Sequence, residues 1–417
     1  MNTGAVGFLE RYEALIGRLP GDSALRAAAA EAFKTAGLPG GTQQQRRIEA
    51  WKYTSLRSVA EASFQPGTAP RHEIETVLTR LLLLDAPRIV FADGTLRADL
   101  SVMPPAGFAR FADQPDFGTL SWPDREPMVA LNTMLAQDGA ALHVPAGFDA
   151  GVVQLVSIAT GDGDFHPRHS IRLAKGARLT VVEISAGEGQ YLLNTVTEIH
   201  VAEGAHLTHI RLQDEAVTAF HVSTTYADIE ASGTYDSFTL NLGARLSRTE
   251  VRTQLSGAGA IVHLNAAQIL TGSQHADFTT VVGHAAPGCA SRQTVKNVLA
   301  GRSRGVFQGK IEVARIAQKT DGYQMNQALL LSPYAEIDCK PELEIFADDV
   351  KCSHGATVGA LDAEQMFYLR SRGIPDAEAR SILVRAFLAE ALDAVTDETI
   401  RGRLETAVEQ WWERQKA

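Results

Sequence analysis

The spacing of hydrophobic positions changes twice along the chain, and these changes predict three regions. Before residue 50, apolar side chains recur every three or four residues, as at Phe8, Tyr12 and Leu15, which indicates amphipathic helices. From about residue 142 to residue 350, apolar and polar residues alternate, which indicates strands. Helical spacing returns after Asp362. We therefore expect a mainly β protein whose core lies between two helical regions.

Local signals mark several elements of the N-terminal region, residues 1–140. Ser23 is predicted to cap a helix that ends at Gly37. The dipeptide Asp93-Gly94 separates two short strand patterns and predicts a hairpin with a type I′ turn. A Pro-rich loop at 101–130 and a short helix lead into the β core. This region is expected to be helical, with one short β hairpin.

A repeat runs through the predicted β core, residues 141–359. AKGARLT at 174–180 recurs as AEGAHLT at 202–208, and fainter copies follow. Four glycines at matching positions are 28, 29 and 26 residues apart: Gly176, Gly204, Gly233 and Gly259. Strand, glycine corner and strand at a steady period are typical of a β-solenoid. Regular hairpins of a β-sandwich could mimic one or two turns, but the long absence of helical patterns favours a β-helix.

The last part of the chain, residues 360–417, is predicted to form a helical domain. Asp362 begins a capping-box pattern, and Pro375 stands at the start of a second helix. A third helix carries the adjacent tryptophans Trp411 and Trp412 near its end. We interpret these tryptophans as the end of a packed core; a partner-binding surface is the alternative.

Charge, cysteine content and the lack of targeting patterns limit the partners and the compartment that we expect for this protein. The 39 basic and 49 acidic side chains give a formal charge of −10, which argues against nucleic-acid and membrane-surface partners. Cys289, Cys339 and Cys352 form no CxxC pair, so free thiols in a reducing compartment are expected. The N-terminus has no secretion-signal pattern, and no apolar run is long enough to span a membrane. We expect a cytoplasmic protein.

Common catalytic motifs do not occur in this sequence. Walker A, GxGxxG, GxSxG and HExxH patterns are all missing, which argues against the commonest hydrolases, NTPases and dinucleotide-binding enzymes. The alternative is a β-helix enzyme that acts on polysaccharide, which would need paired carboxylates on an exposed rung; a zinc enzyme is a weaker candidate. His206 and His209 would point to opposite faces of one strand, and His200 belongs to the preceding strand, so we interpret all three as ordinary surface histidines.

Cys352 and His354 are the candidate metal ligands. In an extended strand both point to one face and Ser353 points to the other. Sulfur and imidazole nitrogen suit iron, zinc or copper, and two ligands leave a site that a partner must complete. Lys351 would favour the thiolate form of Cys352, whereas the acidic pair before it would oppose that form. The alternative is a buried structural cysteine beside a hydrogen-bonded histidine.

Several motifs resemble the SufB/SufD family of the SUF iron–sulfur cluster assembly system. The most specific block spans residues 301–374, and its CSHG sequence at 352–355 favours the SufD branch. The motifs are KTDGYQMNQALLLSPYAEIDCKPELEIFADDVKCSHGATVG, the GRSRGVFQGKI before it, RRIEAWKYTSLR near the N-terminus and EQMFYLRSRGI near the C-terminus. The resemblance implies a right-handed parallel β-helix core flanked by N- and C-terminal α-helical regions.

The resemblance also implies a non-catalytic scaffold with no permanently bound cofactor, on which a transient iron–sulfur cluster forms at a partner interface. The implied partners are a SufB-like paralogue, bound through the end of the β-helix, and a SufC-like ATPase, bound through the C-terminal helices. A homodimer is an expectation for the isolated chain. His354 matches the family's interface histidine and Cys352 the cysteine before it, whereas Cys339 receives no role.

Overall fold

The computed structural model describes residues 3–40, 48–64, 71–104 and 107–415. Its helices lie towards the two ends of the chain, and the middle is built of strands. The first group of helices is α1 (Thr3–Leu15), α2 (Ser23–Ala36), α3 (Arg57–Glu61), α4 (Arg71–Arg80) and α5 (Pro127–Leu135), and the second is α6 (Ala363–Ser371), α7 (Asp376–Leu392) and α8 (Glu398–Arg414). Residues 46 and 47 of the RRIEAWKYTSLR motif lie outside the described ranges.

Most strands belong to two long sheets. The strands are β1 (Arg88–Ala92), β2 (Thr95–Leu96), β3 (Phe108–Arg110), β4 (Ala140–Val144), β5 (Asp149–Thr160), β6 (Asp164–Phe165), β7 (Arg168–Leu173), β8 (Arg178–Glu188), β9 (Leu192–Val201), β10 (His206–Glu215), β11 (Phe220–Ile229), β12 (Thr234–Asn241), β13 (Leu246–Leu255), β14 (Ile261–Leu270), β15 (His275–His284), β16 (Ala290–Leu299), β17 (Arg304–Val313), β18 (Asp321–Leu330), β19 (Glu336–Ile345) and β20 (Lys351–Gly359).

The chain winds as a parallel β-solenoid of about eight turns, which confirms the predicted fold class. Even-numbered strands from β8 to β20 form one sheet, and odd-numbered strands from β7 to β19 form the other. From β9 onwards, each strand pairs in parallel with the strand two before it. The apolar residues that face inwards from both sheets make one continuous core. Its right hand and the division of the chain at residues 140 and 359 stay predictions.

Left-handed corners repeat once per turn, but one of them differs from the prediction. Gly176, Gly204 and Gly259 have φ angles of 68°, 65° and 69°, as a tight corner requires. The third corner is Ser232, at φ 53°, and not Gly233. The reason is strand register: His206 pairs with Thr234, so the corner two residues before His206 aligns with residue 232. The sequence prediction therefore placed this corner one residue too late in the chain.

Of the predictions for the N-terminal region, the hairpin is confirmed and the residue that caps α2 is corrected. Asp93 and Gly94 have φ angles of 49° and 74°, and they join the antiparallel strands β1 and β2 in the predicted hairpin. Strand β1 also pairs in parallel with β5, so the hairpin forms the first part of one solenoid sheet. The cap of α2 is Asp22 and not Ser23, because the Asp22 carboxylate accepts hydrogen bonds from two backbone N–H groups of the first turn.

The C-terminal helices α7 and α8 pack on the outer face of the even-numbered sheet. Val384, Leu388 and Trp411 are buried there against strand residues such as Ile184. The Trp411 indole N–H donates to the Leu242 carbonyl oxygen at 3.1 Å, so this tryptophan belongs to the core, as interpreted from sequence. Across the described ranges, no helix has both the length and the apolar character needed to cross a membrane.

Candidate functional site

The solenoid ends at strands β19 and β20, which we call the open end. Each is the edge strand of its sheet, since β19 pairs with β17 and β20 pairs with β18. All residues of these two strands are exposed or half-buried, whereas the preceding turns are largely buried. Edge strands present unpaired backbone N–H and C=O groups that a further strand can bind. The open end therefore has the features of an interface.

Both candidate ligands lie on the inward face of β20. The register places Cys352 opposite Gly322 and His354 opposite Gln324 of β18. Gln324 is fully buried inside the solenoid, so His354 points towards the same interior, but at the last turn it is exposed. Ser353 lies over Tyr323 on the outer face. The structure thus brings the thiol and the imidazole together at the mouth of the solenoid interior.

The Cys352 thiol is half-buried and favours its protonated form. Its side chain packs against the buried cluster that contains Ile311 and Val313. Burial raises the pKa of this thiol, and the negative charge of Asp321 raises it further, although the Gly322 backbone N–H opposes them. Burial, Asp321 and the Gly322 N–H group therefore determine the direction in which the pKa of Cys352 shifts, and Lys351 does not. A metal bound here would have to displace the thiol proton. The His354 imidazole, two residues further along the strand, is exposed.

The pair alone fills part of a coordination sphere. Zinc and iron bound by sulfur and nitrogen are commonly four-coordinate, so two side chains leave at least two positions for other ligands. Within the described ranges, no three His, Cys, Asp or Glu side chains are grouped closely enough to hold one metal ion. The assignment of Cys352 and His354 as metal ligands stays a prediction.

The interpretation of the upstream histidines was wrong for His209. This side chain is fully buried inside the solenoid, where its Nε2 lies 3.0 Å from a Glu183 carboxylate oxygen and its Nδ1 lies 3.2 Å from the Tyr235 hydroxyl. His206 points outwards and pairs with Asp236, as its opposite parity predicted. The alternation of side chains along a strand correctly placed His206 and His209 on opposite faces. It could not show which of these faces is the solenoid interior.

Buried His209 predicts a loss of stability in mild acid. Burial holds the pKa of His209 well below its usual value of 6.5, and nearby Arg211 lowers it further. The unfolded chain therefore binds a proton at this position as the pH falls below about 6.5, while the folded protein does not, and unfolding becomes easier. We expect the urea midpoint to fall between pH 7.5 and pH 5.5, and less steeply in His209→Gln. An equal slope in the two proteins would contradict this assignment.

A groove lies beside the open end, between α6 and the ends of β18 and β20. Its volume is about 1110 Å³, and Leu331, Val358, Met366 and Phe367 are among its apolar lining residues. No side chain described for α6 is buried, and Phe367 is 75% exposed. Apolar side chains this exposed on a helix indicate a protein-binding surface.

Comparison with known proteins finds one matching family profile and several similar proteins. The sequence profile described as "SUF system FeS cluster assembly, SufBD core domain" matches residues 156–387. The "Iron-sulfur cluster assembly protein SufD" of Escherichia coli is 34% identical over 371 residues, which cover 86% of this chain and 87% of that protein. The "Protein ABCI7, chloroplastic" of Arabidopsis thaliana is 29% identical, over 86% of this chain and 80% of its own length.

The "Iron-sulfur cluster assembly SufBD family protein slr0076" of Synechocystis is 35% identical over 67% of this chain and 64% of its own length. The matched profile region contains the strands from β6 to β20 and the candidate ligands. None of these names supports the polysaccharide-active enzyme that the sequence left as an alternative.

Proposed function

The chain belongs to the SufBD family of iron–sulfur cluster assembly proteins, with SufD among its relatives, and on this premise we propose that it is a non-catalytic scaffold subunit for cluster assembly. One observation carries the proposal: a thiol and an imidazole lie on the inward face of the last strand, and that strand is the edge of its sheet. A nascent iron–sulfur cluster is the cargo of this site and not a resident cofactor.

We propose that a SufB-like paralogue binds the open end. A second solenoid can add its own terminal strands to the free edges of β19 and β20, because main-chain hydrogen bonds then continue across the interface. This geometry would bring partner ligands to His354 and Cys352 and complete a shared site. In the absence of the paralogue, a second copy of this chain can use the same edges, which is the basis for a homodimer.

We propose the groove along α6 as the surface that receives a SufC-like ATPase. Phe367 and Tyr368 supply exposed aromatic area of the kind that anchors protein interfaces. Movement of the ATPase would act first on α6 and then on the end of β20, to which α6 is joined through a short connection. Energy for assembly would thus come from the partner, and the whole complex is proposed to work in the cytoplasm.

The test is co-purification of the tagged full-length chain with a single substitution on α6. Removing all residues after Asp362 would uncover the apolar face that α7 and α8 bury, so a point variant is the cleaner probe. Phe367→Asp is expected to reduce recovery of an ABC-type ATPase at least about tenfold, because a charge replaces an exposed aromatic contact. Recovery of the β-helix paralogue should be unchanged.

Phe148→Asp is the matched control, since Phe148 is an exposed aromatic residue in the corner between β4 and β5. Equal loss of the ATPase in both variants would point to general damage and not to the groove. Failure of the wild-type chain to retain either a paralogous β-helix protein or an ATPase would contradict the proposed function itself.

A further inference from the structure

The last turn of the solenoid carries a local excess of negative charge. Residues 336–351 contain six acidic and two basic side chains, which give this short segment a net charge of −4. Residues 304–330, which form the turn before it, contain four basic and two acidic side chains and have a net charge of +2. The net charge of the turns therefore changes sign at the open end.

Most of these acids lie on the outer face of β19. Side chains alternate along a strand, and Cys339 of β19 packs against the core in the interior. The even-numbered residues therefore face outwards: Glu336, Asp338, Lys340, Glu342 and Glu344. The preceding strand shows which neighbours they accept, since Arg304 of β17 donates to Asp338 at 2.7 Å and the Lys310 ammonium lies 3.0 Å from Glu344. A strand with two basic residues thus fits one side of β19.

Pro341 interrupts the free backbone edge of β19. The N–H groups of Glu336 and Phe346 donate to the carbonyl oxygens of Ser303 and Val313, so even-numbered residues direct their backbone groups to the β17 side. Odd-numbered residues, Pro341 among them, direct theirs to the free edge. Proline has no N–H group, so this edge lacks a donor near its middle and strand addition is weakened. Side-chain charge consequently has a larger share in the choice of partner.

The interior one turn behind the open end contains polar atoms that await a partner. Gln324 and Asn326 of β18 are fully buried, and their Oε1 and Nδ2 atoms find no hydrogen-bond partner among the described residues. His354 and Ala356 of β20 lie over them. Buried polar atoms in folded proteins are normally hydrogen-bonded. The mouth of the solenoid is therefore completed by polar groups from outside this chain.

We propose that the outer face of β19 binds a partner strand whose outward side chains are basic, and so favours a heteromer over a dimer of this chain. The inference rests on the scaffold function proposed above and adds the chemistry of the partner's edge strand. Opposite charges directly across a strand pair stabilise a sheet, and the pairing between β17 and β19 already follows this rule.

A second copy of this chain meets like charges instead. In a two-fold dimer that joins β19 to its own copy and keeps both interiors on one side, the strands run antiparallel. With Lys340 opposite its own copy, Glu336 lies opposite Glu344 and Asp338 lies opposite Glu342. A shift of the centre by one residue still places Glu336 opposite Glu342, or Asp338 opposite Glu344. Like charges directly opposite each other destabilise a sheet, so the homodimer is the weaker assembly.

The experiment uses the full-length chain, alone and with the β-helix paralogue that co-purifies with it. Sedimentation velocity measures self-association, and titration of one protein with the other measures binding of the paralogue. Because a two-fold dimer contains the position twice, we expect Glu336→Lys to self-associate at least about threefold more tightly than the wild type. Its affinity for the paralogue should fall at least about threefold.

Glu203→Lys is the matched control. It makes the same change of charge at an exposed acid in the corner between β9 and β10, where Glu203 pairs with Lys175. We expect both affinities of this variant to equal those of the wild type. Glu336→Gln, which places no base beside Arg304, should shift both affinities in the same directions as Glu336→Lys, but less.

Salt provides a second measurement of the same charges. Between about 50 mM and about 500 mM sodium chloride, screening should tighten self-association of the wild-type chain and weaken its binding to the paralogue. Changes of the opposite sign would overturn the proposed charge selection.

The outcomes separate this inference from the function on which it rests. Self-association of Glu336→Lys no tighter than that of the wild type would overturn the charge selection and leave the scaffold standing. Equal binding of the paralogue by Glu336→Lys and Glu203→Lys would have the same meaning. A wild-type chain that retains no paralogue would contradict the scaffold function, while the self-association of Glu336→Lys would still decide on the charge selection.

Discussion

His354→Ala is expected to lower the yield of assembled cluster about ten- to hundredfold while the protein stays folded. The loss follows from the proposed function, in which the imidazole supplies a nitrogen ligand to the cargo at the open end. The fold should survive because the side chain is exposed and makes no hydrogen bond or ion pair with the described part of the chain. Such surface substitutions usually change stability by less than about 0.5 kcal/mol.

Reconstitution with iron and sulfide, followed by visible absorbance and iron analysis, measures the yield. Ser353→Ala is the matched control, because Ser353 is the neighbouring residue of β20 but lies on the outer face. We expect its yield to equal that of the wild type. A normal yield in His354→Ala would remove the histidine from the site, and a low yield in both variants would show that β20 itself had been disturbed.

The solenoid could be predicted from sequence because its rules are local. Alternation along each strand and a left-handed corner every 27 to 31 residues are properties of short segments, and they repeat often enough to outweigh single errors. The error at Ser232 shows the limit of this reasoning. The glycine beside it was chosen as the corner, yet the register of neighbouring strands fixes the corner at a residue that accepts φ 53° without being glycine.

The site was only half predictable, for a different reason. Cys352 and His354 are two residues apart on one strand, so parity alone places them on one face. Gln324 of β18, on which His354 lies, is 30 residues away in the chain, and the two meet only through the winding of the solenoid. The same is true of Glu183 and His209, which are 26 residues apart and face the interior on neighbouring turns. A single sequence contains no local signal for such contacts.

The two ends of the solenoid are closed in different ways, and the difference bears on function. At the N-terminal end, the short strands β2 and β3 pair antiparallel with β1 and β4 and finish the two sheets. Short antiparallel strands of this kind blunt an edge against further pairing. At the other end, β19 and β20 are ten and nine residues long, parallel and uncapped within the described ranges. Assembly with a second solenoid is therefore expected at that end only.

Asp277→Asn is expected to lower the free energy of unfolding by about 3 to 5 kcal/mol. Asp277 pairs with the fully buried Arg248, whose guanidinium also lies 4.2 Å from the Trp51 ring centroid, and Thr54 donates to the same carboxylate. Neutralising the carboxylate leaves Arg248 with Glu250 as its remaining described anionic partner, and an undercompensated buried charge is costly. Urea unfolding measures the change.

The control is Glu61→Gln, since Glu61 forms an exposed ion pair with Arg57. This substitution should lower the free energy of unfolding by less than about 1 kcal/mol. Equal costs in the two variants would mean that this buried network does not fasten the segment around Trp51 to the solenoid.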